Sequence, residues 1–190
     1  MRNFVSLHVR TQDASAVRAL AQALRTPGLT LYVVPDTPWY SLYDEGLEAG
    51  EDPEALLRAL LEASRLGRAA VFWVQEDEGL FWALAEGGRV LYRSAAGMED
   101  RPDAREGALP ADLDPAAVAA AEKGQPKTAA ARALGALLGL HPDHAVVGFG
   151  DFLELDEESA LPEEVWILED AHEPELHLER PLMEEDHAGG

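Results

Sequence analysis

Leu29-Thr30-Leu31-Tyr32-Val33-Val34-Pro35-Asp36-Thr37-Pro38-Trp39-Tyr40-Ser41-Leu42-Tyr43 is the stretch on which the fold turns. Two runs rich in β-branched and aromatic residues, Leu29–Val34 and Trp39–Tyr43, flank the turn Asp36-Thr37-Pro38, with Pro35 closing the first. Such runs, separated by Pro and Asp, predict two strands joined as a hairpin. On the N-terminal side, residues 3–9 alternate in apolar character and read as a strand. Asp13 then caps a helix with Val17, Leu20, Ala21 and Leu24 at helical spacing, ending before Pro27-Gly28. On the C-terminal side, Gly46–Gly50 reads as a loop. Asp52-Pro53 starts a helix over Pro53–Leu66 that places Leu56, Leu57, Leu60 and Leu61 on one face, with Gly67 as its stop. Ala69–Val74 is a near-continuous apolar strand.

The order around the hairpin is strand, helix, strand, strand, helix, strand, which is the split pattern of ferredoxin-like folds. Turns at Glu76–Gly79 and Gly87-Gly88 add strands over Leu80–Ala85 and Arg89–Tyr92 as a meander. The expectation is an α+β fold. A mainly antiparallel sheet with a ferredoxin-like βαββαβ start is extended by a β-meander, then followed by a helical C-terminal segment and an acidic tail. Residues 95–115, with Gly97, Pro102, Gly107, Pro110 and Pro115, read as a linker. Helices follow over Asp114–Ala121 and Thr128–Leu138, the second ended by Gly139, and Val165–Leu168 reads as a last short strand. The expected division is a sheet domain over 1–95, a linker and helical segment packing on it over 96–168, and a mobile acidic tail over 169–190.

Four stretches carry a resemblance: Leu31–Pro35 with Trp39–Asp44, Asp52–Leu56, Ala70–Trp73 with Leu80–Leu84, and Leu137–Leu140 with Val147–Gly150. Their order and spacing resemble a group of uncharacterised bacterial proteins of about this size. The resemblance implies a shared fold over most of residues 1–155 and carries over no functional residue. Thirteen Arg against two Lys, with abundant Ala and Leu, is what GC-rich codon usage produces.

The 190-residue chain is 47% apolar, enough for a substantial core, and lacks cysteine, which excludes disulfides and thiolate chemistry. No apolar run approaches the roughly 18 residues of a membrane span, and no signal-peptide core follows Met1, so the expectation is a cytoplasmic protein with no membrane partner. Charge is the outstanding feature. The net charge is −21, and residues 151–190 carry fifteen acids against one base, Arg180. A polyanionic block repels nucleic acid and anionic membrane and attracts basic partners.

Chemistry-bearing motifs are sparse. His141-Pro142-Asp143-His144 has ligand-like spacing, but a metal needs three or more converging ligands and Pro142 disfavours a helical arrangement, so no metal site is assigned. His172, His177 and His187 lie in the expected mobile tail. Glu76-Asp77-Glu78 sits at a hairpin tip without the glycine spacing of a Ca²⁺ loop. Gly148-Phe149-Gly150 lacks the Lys-Ser/Thr of a phosphate loop and reads as a turn with a buried Phe. No catalytic residue and no cofactor is assigned. The adjacent aromatics Phe72-Trp73 and Phe81-Trp82 must point to opposite sheet faces, so one aromatic face either stacks on bases or is covered by residues 114–150. Covering is the more ordinary outcome. Seven arginines between 58 and 105 share that span with eight acids, leaving it near neutral. Arg89, Arg93, Arg101 and Arg105 are the candidate binding residues there. The expected function is a non-enzymatic interaction or regulatory protein whose acidic surface binds a basic protein partner. The alternative is a nucleic-acid-binding accessory protein using those arginines and the sheet aromatics, modulated by the tail.

Overall fold

The computed structural model describes residues 3–76, 78–96 and 104–170. The described residues form six α-helices, one 3-10 turn and eight strands in one antiparallel sheet. In chain order these are β1 (Asn3–Arg10), α1 (Ala14–Leu24), β2 (Leu31–Asp36), β3 (Trp39–Asp44), α2 (Glu45–Gly50), α3 (Pro53–Ala63), β4 (Ala69–Gln75), β5 (Gly79–Glu86), β6 (Arg89–Ala96), β7 (Ala104–Gly107), α4 (Pro115–Glu122), α5 (Lys127–Leu138), the 3-10 turn Pro142–Ala145, α6 (Phe149–Glu157) and β8 (Trp166–Leu168). The strand order is β7-β6-β5-β4-β1-β3-β2-β8.

The sheet is covered on both faces, and strand alternation explains how. On the first face Val5, Leu7 and Val9 of β1 join Leu42, Val71, Trp73 and Phe81 beneath α1 and α3. On the second, Phe4, Trp39, Phe72, Trp82 and Tyr92 lie beneath α4 and α5 with Val118, Ala130 and Leu134. Tyr32 and Tyr43 continue that face beneath Phe149 and Phe152 of α6. Leu56, Ala59, Leu60 and Ala63 are the inward residues of α3, whereas Leu57 and Leu61 are only half-buried. The helix closes at Ala63, short of Leu66, through tightening turns in which Leu66 N–H donates to the Ala63 carbonyl.

The differences from the sequence reading have local causes. Residues 45–50 are helical, not a loop, because Asp44 caps them: its Oδ2 accepts from Leu47 N–H at 3.0 Å, and Glu45 and Glu48 sit in the positive first turn. Gly148-Phe149-Gly150 opens α6 rather than making a turn, although Phe149 is buried. β2 runs through Pro35 to Asp36. The Thr30 carbonyl accepts from Glu45 N–H on the β3 side, so alternation turns Pro35 toward the β8 side, where β8 pairs only with residues 31–33. The missing proline N–H therefore costs no ladder bond. Within the expected linker, residues 104–107 add β7, and β6 extends to Ala96.

Candidate functional site

Among the described residues, the candidate arginines Arg89, Arg93 and Arg105 do not converge. Arg89 is exposed at the start of β6. Arg93 donates to Glu106 across the β6–β7 pair at 2.6 and 2.9 Å. Arg105 stands opposite Ser94, the next residue along β6, so it projects from the other sheet face and ion-pairs with Glu122 at 3.1 Å. Arg101 lies outside the described residues. Arg68 binds Asp112 in bidentate fashion at 2.8 Å and Glu86 at 2.6 Å, which lowers the Asp112 carboxyl to about 2. The aromatics offer no stacking platform either, since Trp39, Tyr43, Phe72, Trp73, Phe81, Trp82 and Tyr92 are all buried.

Two buried polar groups are invisible in the sequence. His8 is enclosed in the second face, with Nδ1 2.7 Å from Ser41 Oγ and Nε2 2.8 Å from Ser6 Oγ. Burial, aided by His144, lowers its pKa to about 3, so the ring is neutral and one hydroxyl accepts from it while the other donates. Ser6, His8 and Ser41 have no exposed surface, so this serine–histidine pair meets no substrate and acts to satisfy its own polar groups. Glu122 at the end of α4 is likewise buried. Its Oε2 accepts from Trp82 Nε1 at 2.8 Å and from the Tyr92 hydroxyl at 3.0 Å, while its backbone carbonyl accepts from Lys127 Nζ at 2.6 Å. It fastens α4 to the sheet.

His141 and His144 stack at 4.8 Å, and Asp143 ion-pairs with Arg132 instead of joining them. Among the described residues no three His, Asp or Glu side chains gather where a metal ion could be held. Of the hairpin-tip acids, Glu76 and Glu78 are exposed, and Asp77 lies outside the described residues with His172, His177 and His187.

What does converge is charge of one sign. Residues 26–57 contain seven acids and residues 133–170 contain ten, with no Lys or Arg in either. The first segment builds β2, β3, α2 and the first turn of α3. The second builds the end of α5, the 3-10 turn, α6 and β8. The sheet order and the packing of α6 on α2, β1 and β2 bring them to the same end of the molecule. Tyr32 registers the result. Its hydroxyl donates to Asp156 at 2.8 Å, and burial first, then Asp156, Glu169 and Glu45, push its pKa well above the usual phenol range. Glu48 reaches from α2 to the N-terminus of α6, where it accepts from Phe149 N–H at 3.0 Å and Gly150 N–H at 3.3 Å, and from Val5 N–H at 3.2 Å. A Cβ at position 148 would collide with Glu48 Oε1 and Phe4, so only glycine admits this approach. Burial raises the Glu48 pKa, and these bonds oppose the shift. A cleft of about 220 Å3 between α2, β1 and α6 is lined by Asn3, Phe4, Glu48, Gly150, Asp151 and Glu154.

Few described cations enter this end. Arg25 ion-pairs with Asp170 at 2.8 Å, Arg58 lies 4.0 Å from Asp52, and the Arg18 guanidinium sits 4.2 Å above the Trp166 ring. The tail's charge was plain in the sequence. The base-free window 26–57 was equally readable there, yet only the fold shows that the two segments share a surface. No helix among the described residues is long and apolar enough to cross a membrane. Comparison with protein-family models, with curated proteins and with solved structures finds no match.

Proposed function

We propose that this is a non-enzymatic interaction protein of the cytoplasm whose strongly acidic end binds a basic protein partner. The observation that carries the reading is the meeting of two base-free segments, 26–57 and 133–170, on one end of the sandwich. A surface of one sign steers an oppositely charged partner to it and rejects like-charged ones. Residues 171–190 carry six further acids against one base, Arg180. The nucleic-acid alternative has less support: Arg93 and Arg105 are engaged in internal ion pairs on opposite faces. We also read residues 3–75 as a ferredoxin-like unit. The order β4-β1-β3-β2, with α1 and α3 on one face, supports this reading, the later strands and second helical layer being additions.

The test is a titration of the full chain with a capped oligolysine, at low and at high salt. Binding should weaken steeply with salt, because the contacts are between exposed charges. Reversing Glu154, Glu157 and Glu158 to Lys together should weaken it by about ten-fold or more, since like charges would then face the ligand. Reversing Glu62, at the opposite side of the sheet, should leave it unchanged. No binding at low salt would overturn the proposal.

A further inference from the structure

We propose that the open edge of β8 accepts a basic, extended peptide segment as one further strand of the sheet. This rests on the basic-partner reading and gives it a place and a mode.

Among the described residues the sheet ends at β8, which pairs with β2 through Leu31↔Leu168, Tyr32↔Ile167 and Val33↔Trp166. The register decides which groups are free. The Thr30 carbonyl bonds Glu45 N–H on the β3 side, so Tyr32 also turns its main-chain groups toward β3, and Leu31 and Val33 turn theirs toward β8. Their partners Leu168 and Trp166 therefore face β2, and the N–H and C=O of Ile167 point away from the sheet. Among the described residues no group outside the sheet bonds them. The Ile167 side chain is 43% exposed, the most of any large apolar residue described. An outward donor and acceptor beside an exposed apolar side chain are what strand addition uses.

Charge chooses the occupant. Glu163, Glu164 and Glu169 flank the edge, all exposed and without an ion pair among the described residues. Asp170 is held by Arg25, at the C-terminal end of α1. A second copy of this chain, pairing edge to edge, would set these carboxylates against themselves. A segment with Lys or Arg at alternate positions would instead set cations beside them, with its apolar positions available to Ile167. The other edge, β7, differs. It carries both signs at Arg105 and Glu106, each bound within the protein, and it ends at Gly107 with φ +90°. With only three residues in β8, main-chain bonds are few, so affinity should lean on charge and fall with salt.

The experiment uses the full chain, isotopically labelled, and two capped peptides of about ten residues with equal charge, one alternating Lys and Val, the other Lys and Pro; proline lacks the N–H that a sheet edge needs. At low salt the Lys-Val peptide should bind about ten-fold tighter and should slow exchange of the Ile167 amide, as an added strand would. Ile167→Pro deletes only the outward N–H, leaving the pairs of Trp166 and Leu168 with β2, and should erase the difference between the peptides. If that variant fails to fold, the peptide comparison and the Ile167 exchange decide alone. Equal, salt-sensitive binding of both peptides would overturn the edge and leave the charge reading standing. Binding of neither would remove both. Ile167 protected before any peptide is added would show the edge already taken, and would overturn the proposal.

Discussion

Replacing Glu122 by Ala should unfold this protein more readily than almost any other single change to a charged residue. The carboxylate is 2% exposed and holds three partners from elsewhere in the chain: the Trp82 indole N–H, the Tyr92 hydroxyl and the Arg105 guanidinium. Alanine leaves two donors on the buried second face without an acceptor. Each such orphan costs about 1–3 kcal/mol. The lost ion pair adds little, about 1 kcal/mol at most, because Arg105 is 45% exposed and turns to water. A loss of about 3–5 kcal/mol is expected, a large part of a typical domain's 5–15 kcal/mol. Glu122→Gln separates the contributions. Its amide oxygen still accepts from Trp82 and Tyr92, while Arg105, itself 45% exposed, turns to water. That change should cost only about 1 kcal/mol. The assay is urea unfolding followed by tryptophan fluorescence, reading the midpoint at unchanged slope. A Glu122→Ala midpoint within about 1 kcal/mol of the parent would refute the reasoning. So would a Gln variant as damaged as Ala, because the hydrogen bonds would then not be the source of the cost.

Glu48→Ala should cost about 2 kcal/mol, as for a lost helix cap, and should speed amide exchange at Phe149 and Gly150, the donors it leaves bare. Unchanged exchange there would show that α6 does not depend on α2. Leu60→Ala should cost about 2–5 kcal/mol and Leu57→Ala about 1 kcal/mol, because Leu60 is fully buried and Leu57 only half so. Equal costs would contradict the helix orientation. Burial raises the Asp44 pKa to about 6, against the opposing bond from Leu47. The folded state thus holds this proton more tightly than the unfolded one. The contribution to stability is complete below about pH 4 and is lost as pH rises toward 6. Asp44→Asn keeps a cap but not the titration, so melts across pH 4–7 should show the variant gaining on the parent up to pH 6, then running parallel. A constant difference would remove Asp44 as the cause. Finally, added salt should raise the thermal midpoint of the full chain, since it screens seventeen acids crowded at one end. A fall would mean that ion pairs such as Arg68–Asp112 outweigh the repulsion.

Periodicity and punctuation in the sequence carry the identity of most elements. Asp13 does cap α1, accepting from Ala16 N–H at 3.0 Å, and Gly139 does end α5, at φ +88°. Where glycines bracket a short helix, as Gly46 and Gly50 do in α2 and Gly148 and Gly150 do at the start of α6, the same punctuation misleads. The stabilisation there comes from side chains, Asp44 and Glu48, and Glu48 reaches across a hundred residues of chain. Register was out of reach altogether. Nothing in the spacing of Arg93 and Arg105 says that Arg105 pairs with Ser94, and that one-residue offset sends the two guanidinium groups to opposite faces. The buried trio Ser6, His8 and Ser41 needed the same information, because β1 and β3 meet through a register that pairs His8 with Ser41.

The way the acids are held at the crowded end bears on what that end is for. Elsewhere carboxylates meet cations: Asp112 and Glu86 share Arg68, and Glu106 takes Arg93. Where α2, α6 and β8 gather, the inward carboxylates are met chiefly by neutral donors: Asp44 by Leu47 N–H, Glu48 by three main-chain N–H groups, and Asp156 by the Tyr32 hydroxyl. Neutral donors satisfy a carboxylate's lone pairs without cancelling its charge. The field of those groups adds to that of the exposed Glu154, Glu157, Glu158, Glu163, Glu164 and Glu169. A fold selected for stability alone has a simple remedy, an arginine on α6 or β8, yet neither element carries one, and the described cations that reach this end, Arg18, Arg25 and Arg58, come from α1, its C-cap and α3. The repulsion is relieved most by a cationic partner, so the partner's binding and the stability of this end should be linked. Saturating oligolysine should raise the thermal midpoint of the parent more than that of the Glu154, Glu157 and Glu158 reversal.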